Sequence, residues 1–423
     1  MERDIDIRNE KAILVGVVTG GMTPETMQEH LDELTLLANT AGAEVIGQVT
    51  QRLAKINPAF YVGKGKASQI VGQAEELRAN LIIFDEDLSP AQTKNYQNLT
   101  ENIKVIDRSA LILDIFRKHA KSKEAKTQVE LAHLQYILPR LTRMWTHLER
   151  QMGGIGTRAG AGETQIEVDR RLIRNRISGL KKDLSRIEKE RVTQSKRRKN
   201  EFKVALVGYT NAGKSTIMNT VSGANVYIED QLFATLDTTT RAVKLKNGLG
   251  FLLSDTVGFI RKLPHHLVAS FRSTLREVVE SNLILIVLDA SSEQITDHYK
   301  TIQSVLKELK AHKLRSLVVL NKIDLVNENN RLKYLKRVYP DGVMISAKNH
   351  LRIDHLLETI ETIMKEAYST IEMHFTYEQG QVMAQTEQGM EVLERHYGED
   401  GVTLTLRGSI DRIEKIKSIF GVD

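Results

Sequence analysis

The stretch Gly208-Tyr209-Thr210-Asn211-Ala212-Gly213-Lys214-Ser215-Thr216 has the form G-x-x-x-x-G-K-[ST]. It lies between a short apolar run, Val204-Ala205-Leu206-Val207, and a segment with helical spacing. Strand, glycine loop and helix in that order is the setting in which this pattern binds phosphate. Glycines let the backbone curl so that successive N–H groups face phosphate oxygens. The helix behind adds its partial positive end. In such a loop Lys214 reaches the β- and γ-phosphates and the Ser215 hydroxyl meets Mg²⁺. A nucleotide site is expected here.

Three later stretches name the nucleotide. Asp255-Thr256-Val257-Gly258 follows the apolar run Phe251-Leu252-Leu253. A carboxylate at a strand end supports nucleotide-bound Mg²⁺, and the Gly258 amide can meet a γ-phosphate. Asn321-Lys322-Ile323-Asp324 follows Leu317-Val318-Val319-Leu320. A carboxylate there accepts from the N1–H and 2-amino groups of guanine, donors that adenine lacks. Ser346-Ala347-Lys348 follows Val343-Met344-Ile345 and would bring a backbone N–H to guanine O6. A Thr-rich loop, Thr235 to Thr240, lies where a switch should. Order and strand-end placement together predict a GTP/GDP-binding, Mg²⁺-dependent domain over 200–368, with a mostly parallel sheet.

A chain of 423 residues exceeds one core and suggests several domains. It has no cysteine, which excludes disulfides and cysteine-based zinc sites and favours a reducing compartment. Met1 to Lys11 is charged and offers no signal peptide, and no segment is apolar enough to span a bilayer. A soluble, cytoplasmic, monomeric protein is expected. Residues 1–120 read as an α/β domain, with strand candidates at 12–18, 45–49, 81–84 and 105–106 and helical stretches between. Within it Tyr61-Val62-Gly63-Lys64-Gly65-Lys66 is a basic glycine turn, either a phosphate or RNA cradle or an ordinary strand-to-helix turn.

Over 121–199 the pattern changes. Leu131, Leu134, Leu138, Leu141, Trp145 and Leu148 have heptad spacing, as do Ile173, Ile177, Leu180, Leu184 and Ile187. Two seams joined by the glycine-rich stretch 153–163 predict an antiparallel helical hairpin, with Pro139 kinking or ending the first half of its first helix. Gly154-x-Gly156-x-x-Ala159 approaches a dinucleotide fingerprint, but no strand precedes it. Between Arg170 and Lys199 thirteen basic residues face three acidic ones, a net +10 against +6 for the whole chain. That excess is the footprint of a phosphate-backbone partner, and RNA contact is expected at Arg158, Arg170, Arg171, Arg174, Arg176, Lys181 and Lys182. The competing reading is a solvated face.

The chain resembles the HflX family of ribosome-associated GTPases. The resemblance is carried by Tyr61 to Lys66, Phe84-Asp85-Glu86-Asp87-Leu88-Ser89-Pro90-Ala91-Gln92, Val129-Glu130-Leu131-Ala132, Leu138-Pro139-Arg140-Leu141, the 153–163 loop and Phe233-Ala234-Thr235-Leu236-Asp237. It implies binding to the large ribosomal subunit, splitting of stalled or idle ribosomes, notably under heat stress, and a role for Thr235 beside Ser215 on Mg²⁺. Three departures stand out: Ala159 and Ala161 replace a glycine and a proline, and Thr238 stands where a proline is usual. Residues 369–423 are similar to a small domain found in part of the family. Their pattern predicts a strand at 373–376, a helix at 380–396, a strand at 402–406 and a last helix.

Many GTPases carry a glutamine directly after Asp-x-x-Gly to orient water, and here that residue is Phe259. Hydrolysis by the chain alone should be slow. Asn211 resembles the asparagine of K⁺-stimulated GTPases, against the reading that it merely shapes the loop. His265 and His266 fall in the expected second switch, more as exposed loop residues than as participants. The sequence therefore reads as a ribosome-stimulated GTPase. Its rivals are a ribosome-assembly or RNA-modification GTPase, an RNA-remodelling ATPase and a GTP-binding scaffold.

Overall fold

Strand β1 (Lys11–Val18) is buried at every residue after Lys11. A strand apolar on both faces needs cover on both sides, which is the condition of a parallel sheet. The chain supplies that cover in order: α1 (Pro24–Ala41), β2 (Glu44–Arg52), α2 (Lys64–Glu76), β3 (Leu81–Phe84), α3 (Pro90–Gln97), β4 (Lys104–Asp107) and α4 (Arg108–His119). The four strands form a parallel sheet in the order β2-β1-β3-β4. This computed structural model describes residues 10–100, 102–141, 165–195, 201–223, 232–233, 236–246, 250–261, 276–327, 329–387, 390–410, 413–414 and 416–417.

The chain divides into two compact units, one of 1–187, 228–238 and 257–276, the other of 188–227, 239–256 and 277–423. Helices α1, α3 and α4 start on side-chain caps: Thr23 for α1, Ser89 with Gln92 in a reciprocal box for α3, and Asp107 for α4. The Tyr61–Lys66 turn is held from within. Gln92, Asn95 and Tyr96 donate to the carbonyls of Asn57, Ala59 and Phe60, and the Gly63 N–H donates to Gln51. These bonds satisfy backbone groups of an ordinary strand-to-helix turn.

α5 (Lys123–Ile137) stops two residues before Pro139, as the proline requires. α6 (Gln165–Ser195) follows, and the two seams meet: Leu131, Ile177 and Leu180 form a cluster with Leu134, Leu138, Ile173 and Leu184 against it. Trp145, Leu148, the 153–163 loop with Arg158, and Lys196 to Lys199 lie outside the described residues.

The second unit begins with β5 (Phe202–Gly208), α7 (Lys214–Ser222), β6 (Thr239–Lys244) and β7 (Gly250–Asp255). After a single turn at Arg276–Val279 come β8 (Leu283–Asp289), α8 (Ile295–Glu308), β9 (Ser316–Asn321), α9 (Asn329–Val338), β10 (Val343–Met344) and α10 (Ile353–Ala367). The sheet order is β10-β9-β8-β5-β7-β6, parallel except for the β6–β7 edge pair. Its core runs from Phe202 and Leu206 through Leu285 and Val319 to Leu356 and Met364.

The remainder corrects one expectation. β11 (Tyr368–Phe375) is followed by α11 (Gly380–Glu387), so the helix expected to reach residue 396 ends at Glu387. Residues Glu391–Tyr397 form β12, paired antiparallel with β13 (Val402–Ser409) in a sheet of order β11-β13-β12. Glu391, Leu393, Glu394 and Arg395 are good helix formers individually, but ladder pairing outweighs a propensity of tenths of a kcal/mol per residue. Among the described residues no helix is long and apolar enough to cross a membrane.

Candidate nucleotide site

β8 lies between β5 and β9, so Gly208, Asp289 and Asn321 come together at the carboxyl edge of the sheet. Ligands of open α/β sheets bind at that edge. Gly208 is required by closeness: a Cβ there would stand 2.5 Å from the Val287 carbonyl oxygen. Gly213 is required twice, by its φ of +89° and because a Cβ would stand 2.2 Å from Asn321 Nδ2. Asn211 also has a left-handed φ, +59°, and its side chain is exposed. Asparagine tolerates that conformation better than most residues, so backbone geometry alone gives it a role.

Lys214 is the first residue of α7 and is 6% exposed. Its Nζ donates to the carbonyls of Gly208 at 3.1 Å and Tyr209 at 2.9 Å, the two residues that open the loop. Burial lowers its pKa to about 8, against the nearby Asp255 carboxylate, which raises it. Next along the helix, Ser215 Oγ donates to Asp255 Oδ2 at 2.6 Å. The loop hydroxyl and the end of β7 thus converge as expected. Thr256 is fully buried and donates to the Leu206 carbonyl at 2.6 Å, which ties β7 to β5. Thr210 and Ala212 are buried, and Thr216 is half-buried on α7.

Asn321 joins three segments. Its Nδ2 donates to the Ala212 carbonyl at 2.9 Å, and its Oδ1 accepts from the Ala347 N–H at 3.0 Å. The phosphate loop, β9 and the Ser346-Ala347-Lys348 turn are therefore fixed to one side chain. Ser346 and Ala347 are buried and Lys348 is exposed. Ile323 and half-buried Asp324 occupy the short 3₁₀ turn Ile323–Leu325 just beyond. Two contacts here carry no sequence motif. Lys322 Nζ pairs with Asp289 Oδ2 at 2.9 Å, and the Tyr209 ring stacks on His298 with centroids 3.9 Å apart. Only strand order, which places β8 beside β9, could have pointed to Asp289.

The other expected residues belong to the first unit. Val257, Gly258 and Phe259 are buried, Phe259 at 2% exposure. Phe233 and Leu236 are also buried. Phe233 has φ +59° and meets Phe116 edge-to-face at 4.6 Å, while Asp237 bonds to residues 121 and 122. Arg261 donates to Glu33 at 2.8 and 2.5 Å; the same carboxylate accepts from Arg108, itself 2% exposed and bonded to Asp85. Ala234, Thr235, His265 and His266 lie outside the described residues. On α6, Arg171, Arg174, Arg176, Lys181 and Lys182 are exposed and Arg170 is half-buried. Arg176 is engaged by Glu130 through a two-pronged ion pair at 2.6 and 2.9 Å.

A sheet of this order, with a buried lysine and a serine–aspartate contact at its first βα turn, places the chain among the P-loop GTPases, which hydrolyse GTP. Its sequence is 43% identical to "GTPase HflX" of Caldanaerobacter subterraneus over 97% of this chain and 93% of that protein. The chain belongs to the HflX GTPase family. The Flavobacterium psychrophilum protein of that name is 45% identical over 88% of this chain and 92% of its own length. That of Escherichia coli K12 is 39% identical over 94% and 93%. Family models match in three blocks: GTP-binding GTPase N-terminal over 28–117, GTP-binding GTPase middle region over 119–198, and 50S ribosome-binding GTPase over 203–322. A solved GDP complex of SsGBP aligns at TM-score 0.49 and 26% identity, covering 84% of this chain and 99% of that one.

Proposed function

We propose that the chain is a Mg²⁺-dependent GTPase that docks on the large ribosomal subunit in its GTP form and splits or rescues stalled or idle ribosomes in the stressed cytoplasm. The observation that carries the ribosomal part is α6. Arg174, Lys181 and Lys182 stand exposed on one helix, on the side of the chain where the basic excess is greatest, and offer charge to a phosphate backbone. The 50S ribosome-binding description of the family model over 203–322 supports the same partner, and the absence of cysteine supports a reducing compartment.

In this reading Gly208 to Thr216 cradle the phosphates, Lys214 meets their charge, and Asp324 with Ser346 to Lys348 reads guanine. The donor set fits Mg²⁺. A serine hydroxyl and a carboxylate 2.6 Å apart are hard oxygen ligands, and this ion takes one or two protein groups plus substrate phosphates. Bound there, Mg²⁺ neutralises charge on the β- and γ-phosphates. Thr235 is assigned to the same ion on family resemblance. Phe259 has no group with which to orient water, so a partner, a second cation or another residue must complete the catalytic arrangement. The boundaries at 120/121 and 199/200 in the division into 1–120, 121–199, 200–368 and 369–423 are supported by the family blocks, which break at 117–119 and 198–203.

The test is GTP hydrolysis alone and with large subunits, small subunits or tRNA, together with sedimentation in a non-hydrolysable GTP analogue. Large subunits should raise turnover by about 10³, and binding should weaken steeply with salt. Reversing Arg170, Arg171 and Arg174 to Glu should weaken subunit binding and the stimulated rate and leave GTP affinity intact. Wild-type sedimentation of that variant across a salt series would make α6 a solvated face. Stimulation by tRNA or small subunits instead would shift the reading to RNA modification or assembly.

A further inference from the structure

The phosphate loop is pinned on both sides of Thr210. On one side the Tyr209 ring stacks on His298 with centroids 3.9 Å apart, and the Tyr209 carbonyl accepts from Lys214 Nζ at 2.9 Å. On the other, Asn211 and Gly213 hold left-handed φ of +59° and +89°, and the Ala212 carbonyl accepts from Asn321 Nδ2 at 2.9 Å. A β-branched side chain in a loop so fixed has few rotamers open to it. Thr210 is 6% exposed, and its Oγ1 is buried with no hydrogen-bond partner among the described residues. A buried hydroxyl of this kind costs stability relative to the same shape without it.

The motif does not ask for threonine here. It fixes Gly208, Gly213, Lys214 and Ser215 and leaves the residues between the two glycines open. Neither the motif nor the folded chain uses this hydroxyl, yet it sits in a loop of the kind whose N–H groups face phosphate. The loop also indicates which phosphate. Its Ala212 end is tied to Asn321, on the base side, while its Tyr209 end meets the ammonium of Lys214, which serves the β- and γ-phosphates. Thr210 adjoins the second. We infer that the Thr210 hydroxyl donates to the γ-phosphate of GTP, a charge-assisted bond that GDP cannot make. The main-chain cradle holds both nucleotides, and this side chain tells them apart. The inference rests on the phosphate-loop reading above.

Calorimetric titration in Mg²⁺ with GDP and with the β,γ-imido analogue of GTP, on Thr210→Val and Thr210→Ser, tests this. Valine keeps the shape and removes the donor. Affinity for the analogue should fall about tenfold, the range of a hydrogen bond to a charged group, with GDP within about twofold of wild type. Serine keeps the donor and should hold both affinities within about twofold. Without nucleotide, Thr210→Val should melt no lower than wild type, since it removes a hydroxyl that the chain does not pair. A merely structural role gives the opposite pattern, a lower melting temperature with discrimination between the nucleotides unchanged. Unchanged analogue affinity in Thr210→Val, an equal loss for GDP, or as large a loss in Thr210→Ser would overturn the assignment. The two readings fail separately. Lys214→Met should weaken both nucleotides by more than about tenfold. If it weakens neither, the phosphate loop itself is misassigned, whereas a loss there beside a silent Thr210→Val sinks only the role of the hydroxyl.

Discussion

Asp237 caps a helix from outside it. Its Oδ2 accepts from the N–H groups of Lys121 and Ser122, both at 3.1 Å, and its Oδ1 accepts from Ser122 Oγ. Ser122 in turn caps α5 by accepting from the Ala125 N–H at 3.0 Å. A carboxylate at a helix N-terminus also opposes the helix dipole favourably. With Phe233 seated on Phe116, the chain is fastened to the first unit on both sides of Ala234-Thr235.

Asp237→Ala should therefore loosen the start of α5 by about 1 kcal/mol, the usual worth of a cap. Hydrogen exchange of the first-turn amides, Ala125 and Lys126, should quicken roughly fivefold. Unchanged protection would mean that Ser122 suffices alone.

Lys214 gives a pH signature. Its pKa is lowered to about 8 by burial, so above pH 8 the folded chain has released a proton that the unfolded chain keeps until its ordinary value near 10.5. In that window this group makes stability rise with pH. Bound phosphates favour the ammonium, so GDP binding should take up a proton. Calorimetry in buffers of different ionisation enthalpy should show uptake near 0.1 at pH 7 and about 0.75 at pH 8.5. Zero uptake at pH 8.5 would show that the lysine is charged in the free protein.

Asp324→Asn should exchange the base preference. The amide no longer accepts from both guanine donors but matches the 2-oxo group of xanthine, so GTP affinity should fall by about 10² while that for XTP rises. Unaltered GTP binding in calorimetry would remove Asp324 from the site.

Asn211 separates two roles. Turnover should be higher in K⁺ than in Na⁺ at equal ionic strength if its side chain holds the ion. Asn211→Gly is the informative variant, since glycine keeps the φ of +59° at no steric cost. Loss of the K⁺ preference in that variant supports the ligand. A preference that survives it leaves only backbone geometry.

What was legible in the sequence is what chemistry forces into fixed spacing. The phosphate loop, Asp255 and Asn321 could be read because phosphate, metal and base each demand a residue type at a strand end. The seam of Leu131, Ile177 and Leu180 could be read because helix period fixes which positions meet. β12 was not legible, since Glu391 to Tyr397 is exposed along nearly its whole length and has no alternation to betray a strand; Gly389 was the one signal that the helix had ended. Asp289, Glu33 and Arg108 were not legible either. Each acts through a partner far away in the chain, and a single acid or base has no spacing to recognise.

The Arg261–Glu33 contact turns motion of the segment after Gly258 into a separation of charge. Asp85, Glu33, Arg108 and Arg261 together sum to zero with the arginine in place. Withdrawing Arg261 removes one of the two arginines that face Glu33, in surroundings where Glu33 and Asp85 are 11% and 1% exposed and His30 Nδ1 stands 3.6 Å from Asp85 Oδ2. Poorly hydrated charge of that kind costs several kcal/mol unless a proton or another cation arrives. Moving Arg261 away from Glu33 therefore carries an electrostatic cost, which a basic group arriving in its place would lower.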